Sequence, residues 1–310
     1  MNITDKIYIA GHTGMVGSAI VRNLNKQGYH TLLTCSSEKL DLRRQKDTER
    51  FFEQMQPDYV FLAAAKVGGI MANIRYGADF MYDNIMIQAN VIHAAYKFGV
   101  KKLLFLGSSC IYPKHAPQPI CEEYLLSGYL EPSNQSYALA KIAGLELCRT
   151  YWHQYQCRFI AAMPCNLYGD NDHYDPDNAH VLPALLRKMH EAKKTKQGSV
   201  VVWGTGKPRR EFLHVDDLAQ ACILLMQSYE SPDFVNVGTG TDISIADLAQ
   251  MIKRVVGFKG ELFFDHSKPD GTPRKVLCID RIRQMGWKAQ IELEEGINIT
   301  YENTLKKATF

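Results

Sequence analysis

No apolar run in the chain reaches the roughly 18 residues of a membrane-spanning helix, so an integral membrane protein is not expected. The eight cysteines are Cys35, Cys110, Cys121, Cys148, Cys157, Cys165, Cys222 and Cys278, and none forms a C-x-x-C pair. A zinc or dithiol redox motif is therefore absent, and no metal is expected. The opening residues Met-Asn-Ile-Thr-Asp carry neither a basic region nor a long apolar one. No secretory signal is expected, and free thiols fit a cytoplasmic setting better than a disulfide framework does. Excess charge is scarce as well: 36 Lys and Arg against 33 Asp and Glu leave a net +3. That surplus does not suggest nucleic acid as a main partner, though it suits an anionic small molecule. Internal repeats, low-complexity linkers and a disordered tail are all missing.

What is present is ordinary globular sequence: 310 residues, 46% hydrophobic and 22% charged, enough for one large domain or two smaller ones. Short apolar runs alternate with segments of helical spacing through the first half. The strand-like runs are Lys6–Ala10, Thr31–Thr34, Tyr59–Ala64, Leu103–Gly107 and Phe159–Met163; the helical ones are Met15–Gln27, Thr48–Met55, Asp79–Phe98 and Tyr137–Tyr155. Continuous apolar strands between helices predict an α/β fold, a doubly wound parallel sheet of Rossmann type. The second half is less regular. The sequence predicts helices at Val181–Lys194, Val215–Ser228 and Ile245–Val256, strands at Val200–Trp203 and Phe234–Val237, and polar loops at 170–182 and 266–275. We expect a dinucleotide-binding domain over 1–169, with 205–238 returning to it. A smaller, partly interleaved substrate domain is expected from 170–204 and 239–310.

Gly11-His12-Thr13-Gly14-Met15-Val16-Gly17 follows the first strand and opens the first helix. In a G-x-x-G-x-x-G turn the first glycine allows the tight turn, the second admits a pyrophosphate, and the third lets helix and strand pack closely. The helix N-terminus adds free N–H groups and partial positive charge. Dinucleotide binding is the reading that strand, turn and helix share. The end of the second strand, Thr34-Cys35-Ser36-Ser37-Glu38-Lys39, shows neither an acid for a free ribose 2′-OH nor a clear base for a 2′-phosphate. Lys39, Arg43 and Arg44 follow, either as phosphate contacts or as solvated helix-start charges.

Tyr137-Ala138-Leu139-Ala140-Lys141 places a phenol and an ammonium on one helix face. A nearby ammonium and an oxidised nicotinamide would favour phenolate, letting the tyrosine exchange a proton with a substrate oxygen. The fourth strand ends in Gly107-Ser108-Ser109-Cys110. If the strand continues, Ser108 and Cys110 share a side and Ser109 points away. Together with the glycine turn, this arrangement resembles the extended short-chain dehydrogenase/reductase superfamily.

Longer stretches narrow the resemblance: Ala63-Ala64-Ala65-Lys66-Val67-Gly68-Gly69-Ile70, Gly107-Ser108-Ser109-Cys110-Ile111-Tyr112-Pro113, Pro164-Cys165-Asn166-Leu167-Tyr168-Gly169, Arg210-Glu211-Phe212-Leu213-His214-Val215-Asp216-Asp217 and Lys268-Pro269-Asp270-Gly271-Thr272-Pro273-Arg274-Lys275. Over nearly its whole length the chain is similar to the GDP-L-fucose synthase family. The resemblance implies conversion of GDP-4-keto-6-deoxy-D-mannose by C3 and C5 epimerisation, then hydride reduction at C4, with NADP(H). It implies a catalytic set of Ser108, Cys110, Tyr137, Lys141 and His180, in which Cys110 and His180 are the epimerase pair. It implies cofactor contacts from Gly11, Thr13, Gly14, Met15, Val16, Gly17, Ser37, Leu106, Gly107, Ser108, Lys141, Pro164, Asn166, Leu167 and His180. Substrate contacts would come from Lys188, Trp203, Arg210 and Asp270. Thr13 and Ser37 stand where bacterial members carry arginines toward the 2′-phosphate, which leaves NADPH against NADH open.

The chemistry suits those residue types. A C4 ketone acidifies the C3 and C5 protons, and epimerisation needs a base and an acid on opposite faces of the ring. A thiol and an imidazole both transfer protons near neutral pH. By themselves, Cys110 also reads as a small buried hydrophobe and His180 as a solvated loop residue. Other readings are a reductase or epimerase of a related GDP-4-keto heptose or dideoxy sugar, and a non-catalytic dinucleotide sensor. A homodimer is expected through the helices Asp79–Phe98 and Tyr137–Tyr155.

Overall fold

The computed structural model describes residues 1–175, 179–268 and 270–307. Pro176 to Asn178, within the polar stretch 170–182, and Pro269, within 266–275, lie outside the described residues. The first half contains strands β1 (Ile7–Ala10), β2 (Leu32–Leu33), β3 (Tyr59–Leu62), β4 (Lys102–Leu106) and β5 (Phe159–Pro164). Between them run helices α1 (Met15–Lys26), α2 (Gln45–Met55), α3 (Ile70–Arg75), α4 (Gly77–Lys97) and α5 (Gln135–Tyr155). The second half adds β6 (Asn166–Tyr168), β7 (Ser199–Trp203), β8 (Arg209–Arg210), β9 (Phe212–His214), β10 (Val235–Val237), β11 (Ile243–Ser244), β12 (Glu261–Asp265) and β13 (Arg274–Lys275). Its helices are α6 (Val181–Lys194), α7 (Val215–Ser228), α8 (Ile245–Val256), α9 (Asp280–Gln284) and α10 (Leu293–Lys306).

Six parallel strands form the central sheet in the order β10-β5-β4-β3-β1-β2. This is the doubly wound architecture. The chain moves outward from β1 to β2, then crosses to β3 on the other side, so a crevice opens beyond the carboxyl ends of β1 and β3. β4 and β5 are buried at every position, as strands covered on both faces must be. The polar member of β4, Lys102, donates from Nζ to the carbonyls of Leu225 (3.1 Å) and Tyr229 (2.6 Å) and to the Glu230 carboxylate (3.1 Å). Its stem packs in the core while its charge is satisfied at the rim.

Helices α4 and α5 lie against each other, with Gln88 Nε2 donating to the Ala140 carbonyl at 2.5 Å. That contact fixes α5 over the end of β4. The apolar side chains form two clusters. One surrounds the central sheet and takes in Leu213, Val215, α7, β10 and the later residues Leu277, Ile279, Ile282 and Trp287. The second joins Tyr168, Leu182, Leu186, Val200, Phe212, Leu248, Ile252 and Ile297. Between them sits Glu211, fully buried, which accepts from the backbone N–H of Gly240 (2.7 Å) and Leu277 (2.8 Å). It anchors the segment that follows β13 beside the sheet.

Candidate active site

The glycine turn forms a cradle that admits no side chains. Gly11 has φ +85°, and a Cβ there would meet the Ala64 nitrogen at 2.7 Å, because the loops after β1 and β3 touch. A Cβ on Gly17 would meet the Gly11 carbonyl oxygen at 2.1 Å. Helix α1 starts behind Gly14 with no side-chain cap, so its first N–H groups remain free for an anion. Nδ1 of His12 is buried there with no partner among the described residues. This uncapped helix start in a backbone-lined hollow fits a dinucleotide pyrophosphate.

Leu106, Gly107 and Ser108 leave β4, while Pro164, Asn166 and Leu167 span the end of β5 and β6; the two strands are neighbours in the sheet. Cofactor candidates therefore lie along one edge, from Gly11 to Leu167. Thr13 and Ser37 are exposed at the far end of that edge. Arg43 is committed elsewhere, to Asp41 (2.9 Å) and Asp83 (3.1 Å), and Arg44 leans on Asp41 at 3.7 Å. Lys39 is exposed and forms no ion pair among the described residues.

Strand β4 stops at Leu106, and Ser109–Ile111 is a single 3₁₀ turn rather than a continuing strand. Ser108 caps that turn, its Oγ accepting from the Cys110 N–H at 3.2 Å. The expected outcome stands for a different reason: Ser109 is buried at 3% exposure, while Ser108 and Cys110 remain half-buried at the cleft. Tyr137 hydrogen-bonds Ser108. Burial, then the Cys110 sulfur, push its phenol well above the ordinary value, and the Ser108 bond opposes them. Lys141 is buried and donates to the Leu106 carbonyl at 2.7 Å; burial pushes its ammonium down to about 7. In the chain by itself the phenol is thus held neutral, the form that donates a proton.

Cys110 Sγ receives Asn134 Nδ2 at 3.3 Å and Lys275 Nζ at 3.7 Å. His180 precedes the first turn of α6, its carbonyl accepting from the Ala184 N–H at 3.0 Å. The residue as a whole is exposed. Desolvation by neighbouring protein atoms, then the Lys275 charge, lower its pKa below the usual histidine value.

The expected substrate contacts form a second group. Trp203 is 46% exposed, with Lys188 Nζ 4.9 Å and Lys268 Nζ 5.4 Å from its ring centre. Arg210 bonds the Arg209 carbonyl (2.8 Å) and approaches the Asp270 carbonyl (3.5 Å). Both Asp270 carboxylate oxygens are taken by Thr205, one by its N–H (2.7 Å) and one by its hydroxyl (2.8 Å). Asp270 therefore latches two loops together. Sequence reasoning assigned no role to Asn134, Lys275, Lys268 or Glu211. The K-P-D-G-T-P-R-K stretch contains Lys268 and Lys275 and the R-E-F-L-H-V-D-D stretch contains Glu211, while no motif marked Asn134.

This geometry agrees with what the chain resembles. It is 56% identical over 301 residues to GDP-L-fucose synthase 1 of Arabidopsis thaliana, covering 97% of this chain and 93% of that one. It is 52% identical over 306 residues to GDP-L-fucose synthase of Escherichia coli, covering 96% and 95%. Its fold matches MlghC, the GDP-mannoheptose C4 reductase from Campylobacter jejuni with NADP bound, at TM-score 0.90 and 44% identity over 97% of this chain and 98% of that one. The pattern of the NAD dependent epimerase/dehydratase family covers residues 7–238, and the chain belongs to that family.

Proposed function

We propose that the chain converts GDP-4-keto-6-deoxy-D-mannose to GDP-L-fucose, epimerising C3 and C5 and then reducing the C4 ketone. The observation that carries this reading is the meeting of two proton-transfer sets at the end of β4: Tyr137 bonded to Ser108, and Cys110 beside them. The identity to the two synthases above selects the substrate. NADP(H) supplies the hydride for C4 when bound. The α1 start would hold its pyrophosphate, and Lys141, released from the Leu106 carbonyl, would hold the ribose next to the nicotinamide.

Cys110, as thiolate, removes a C–H proton, leaving the electron pair on an enolate whose oxygen Ser108 and Tyr137 hold by hydrogen bonds. His180 returns a proton to the carbon from the other face. Once the Cys110 thiol has lost its proton to solvent and His180 has regained one, the cycle repeats at the second carbon. During reduction Tyr137 gives its phenolic proton to the C4 oxygen. Trp203 packs against the guanosine, with Lys188 beside it, and Arg210 meets the diphosphate with its fork of donors.

Among the described residues no helix is long and apolar enough to cross a membrane, and we place the enzyme in the cytoplasm. A homodimer through α4 and α5 fits the exposed Tyr82, Tyr96, Leu139 and Tyr155 on those helices; static light scattering giving twice the 35.1 kDa chain mass is the expected result.

The decisive experiment incubates the enzyme with GDP-4-keto-6-deoxy-D-mannose and NADPH or NADH in deuterated water, reading the product by NMR. GDP-L-fucose with deuterium at C3 and C5 is expected. Reduction without deuterium would instead favour the C4-reductase reading suggested by the heptose enzyme. Cys110→Ser should abolish the exchange; undiminished exchange would remove Cys110 from the mechanism.

A further inference from the structure

The geometry assigns Lys275 to the epimerisation site as a positioning residue, its ammonium within hydrogen-bonding reach of Cys110 Sγ and holding the cysteine as the thiolate base. This inference rests on the function proposed above. Nζ of Lys275 stands 3.7 Å from Cys110 Sγ, and Asn134 Nδ2 approaches the same sulfur at 3.3 Å. Two donors converge on one sulfur, an arrangement that favours S⁻ over S–H.

The lysine is built into its place. β13 pairs in parallel with β8, setting Lys275 opposite Arg210. The Lys275 carbonyl accepts from the Glu211 N–H at 3.3 Å, and the Glu211 carboxylate holds Leu277 two residues on. Its charge is also left uncompensated. Arg209 and Arg274, on the same two strands, are both paired with Asp242. Lys275 forms no ion pair among the described residues.

Other charges face the thiol too. Arg210, from β8, is a second cation whose field reaches it, and Tyr137 faces it from α5 as a neutral phenol. A cavity of about 20 Å³ beside Cys110 is lined by Lys114, Glu131 and Lys275, but Lys114 and Glu131 pair with each other at 3.0 Å. Lys275 thus has the cationic head within hydrogen-bonding reach of the sulfur. At His180, desolvation and then the Lys275 charge disfavour imidazolium. The ammonium therefore acts on the base of the pair, Cys110.

The test compares wild type with Lys275→Met and Lys275→Arg. Mass spectrometry would follow iodoacetamide alkylation of the Cys110 peptide across pH, and NMR would follow deuterium entry at C3 and C5. Alkylation of Lys275→Met should shift to higher pH by about one to two units, and exchange at pH 7 should fall at least about tenfold. Lys275→Arg should stay near wild type in both. Should Lys275→Met not fold, Lys275→Gln takes its place with the same expectation. An unchanged alkylation profile with unchanged exchange in the neutral variant overturns the assignment. Absence of exchange in wild type would instead overturn the proposed function, while the alkylation profile still reports on the ammonium.

Discussion

The Lys141 ammonium sits 5.8 Å from the centre of the Tyr137 ring and donates to the Leu106 carbonyl at 2.7 Å, not to the phenol. The pair therefore does not act as a direct ion pair. The lysine is held against the end of β4, one residue before Gly107 and two before Ser108. There it bridges the strand that carries Ser108 and the helix that carries Tyr137. Tyr137 in turn packs edge-on against Phe80 of α4, ring centres 6.3 Å apart. Three elements thus converge on one phenol, which is protonated in the free chain.

Removing that phenolic proton should separate the two halves of the reaction. Tyr137→Phe keeps the ring and its contact with Phe80. It should lower C4 reduction by about 10²- to 10⁴-fold while NADPH binding, read by fluorescence, changes little. Ser108→Ala removes one hydrogen bond to the same oxygen and should cost about a hundredfold. Equal loss of cofactor affinity in Tyr137→Phe would show a collapsed site rather than a missing proton donor.

Lys141 makes a pH-dependent prediction about stability. Burial lowers its folded pKa to about 7, against 10.5 for the unfolded residue. The unfolded chain therefore binds more protons between those values, and stability rises with pH across that window. Below pH 7 the full cost of a buried ammonium is present. Lys141→Met should accordingly melt above wild type at pH 6, by an amount on the order of 2–3 kcal/mol once the lost Leu106 hydrogen bond is deducted. The difference should shrink by pH 9.5, with reductase activity lost throughout. Scanning fluorimetry of the cofactor-free protein reads it; a pH-independent difference would contradict the buried ammonium.

Glu211 should be a stability hot spot distant from the chemistry. It is fully buried, and its carboxylate closes the N–H groups of Gly240 and Leu277. Glu211→Ala leaves both donors unpaired and opens a cavity, a loss of about 3–5 kcal/mol. Glu211→Gln retains one acceptor oxygen and should lose less than half of that by urea titration. Since Leu277 follows Lys275 by two residues, the alanine variant should also slow C3 and C5 exchange at temperatures where it remains folded.

The sheet was legible because β1, β3 and β5 are continuous apolar runs and β4 is one after Lys102, and helices α6, α7 and α8 begin and end where their spacing predicts. Two-residue strands such as β8, β11 and β13 leave no periodicity to read, so nothing in composition placed Lys275 opposite Arg210. The Ser108–Cys110 geometry was anticipated through strand alternation, yet a 3₁₀ turn produces it. Such turns depend on side-chain caps like the Ser108 hydroxyl, which a local pattern does not reveal. Asp270 is expected among the substrate contacts, and nothing local reveals that both its carboxylate oxygens meet Thr205, a residue 65 positions away.

Cofactor discrimination is the last property on which the structure makes a definite prediction. Thr13 and Ser37 offer only hydroxyls, and Arg43 is neutralised by Asp41 and Asp83. Lys39 lies two residues beyond Ser37 in the same turn and is free of ion pairs among the described residues. A 2′-phosphate held there would depend on one solvent-exposed ammonium, and a single contact of that kind is modest and screened by salt. NADPH should therefore be preferred over NADH by a margin that narrows as ionic strength rises. Lys39→Ala should raise KM for NADPH about three- to tenfold and leave KM for NADH unchanged, whereas Arg43→Ala should alter neither selectively. Equal effects of Lys39→Ala on the two cofactors would place the 2′-phosphate elsewhere.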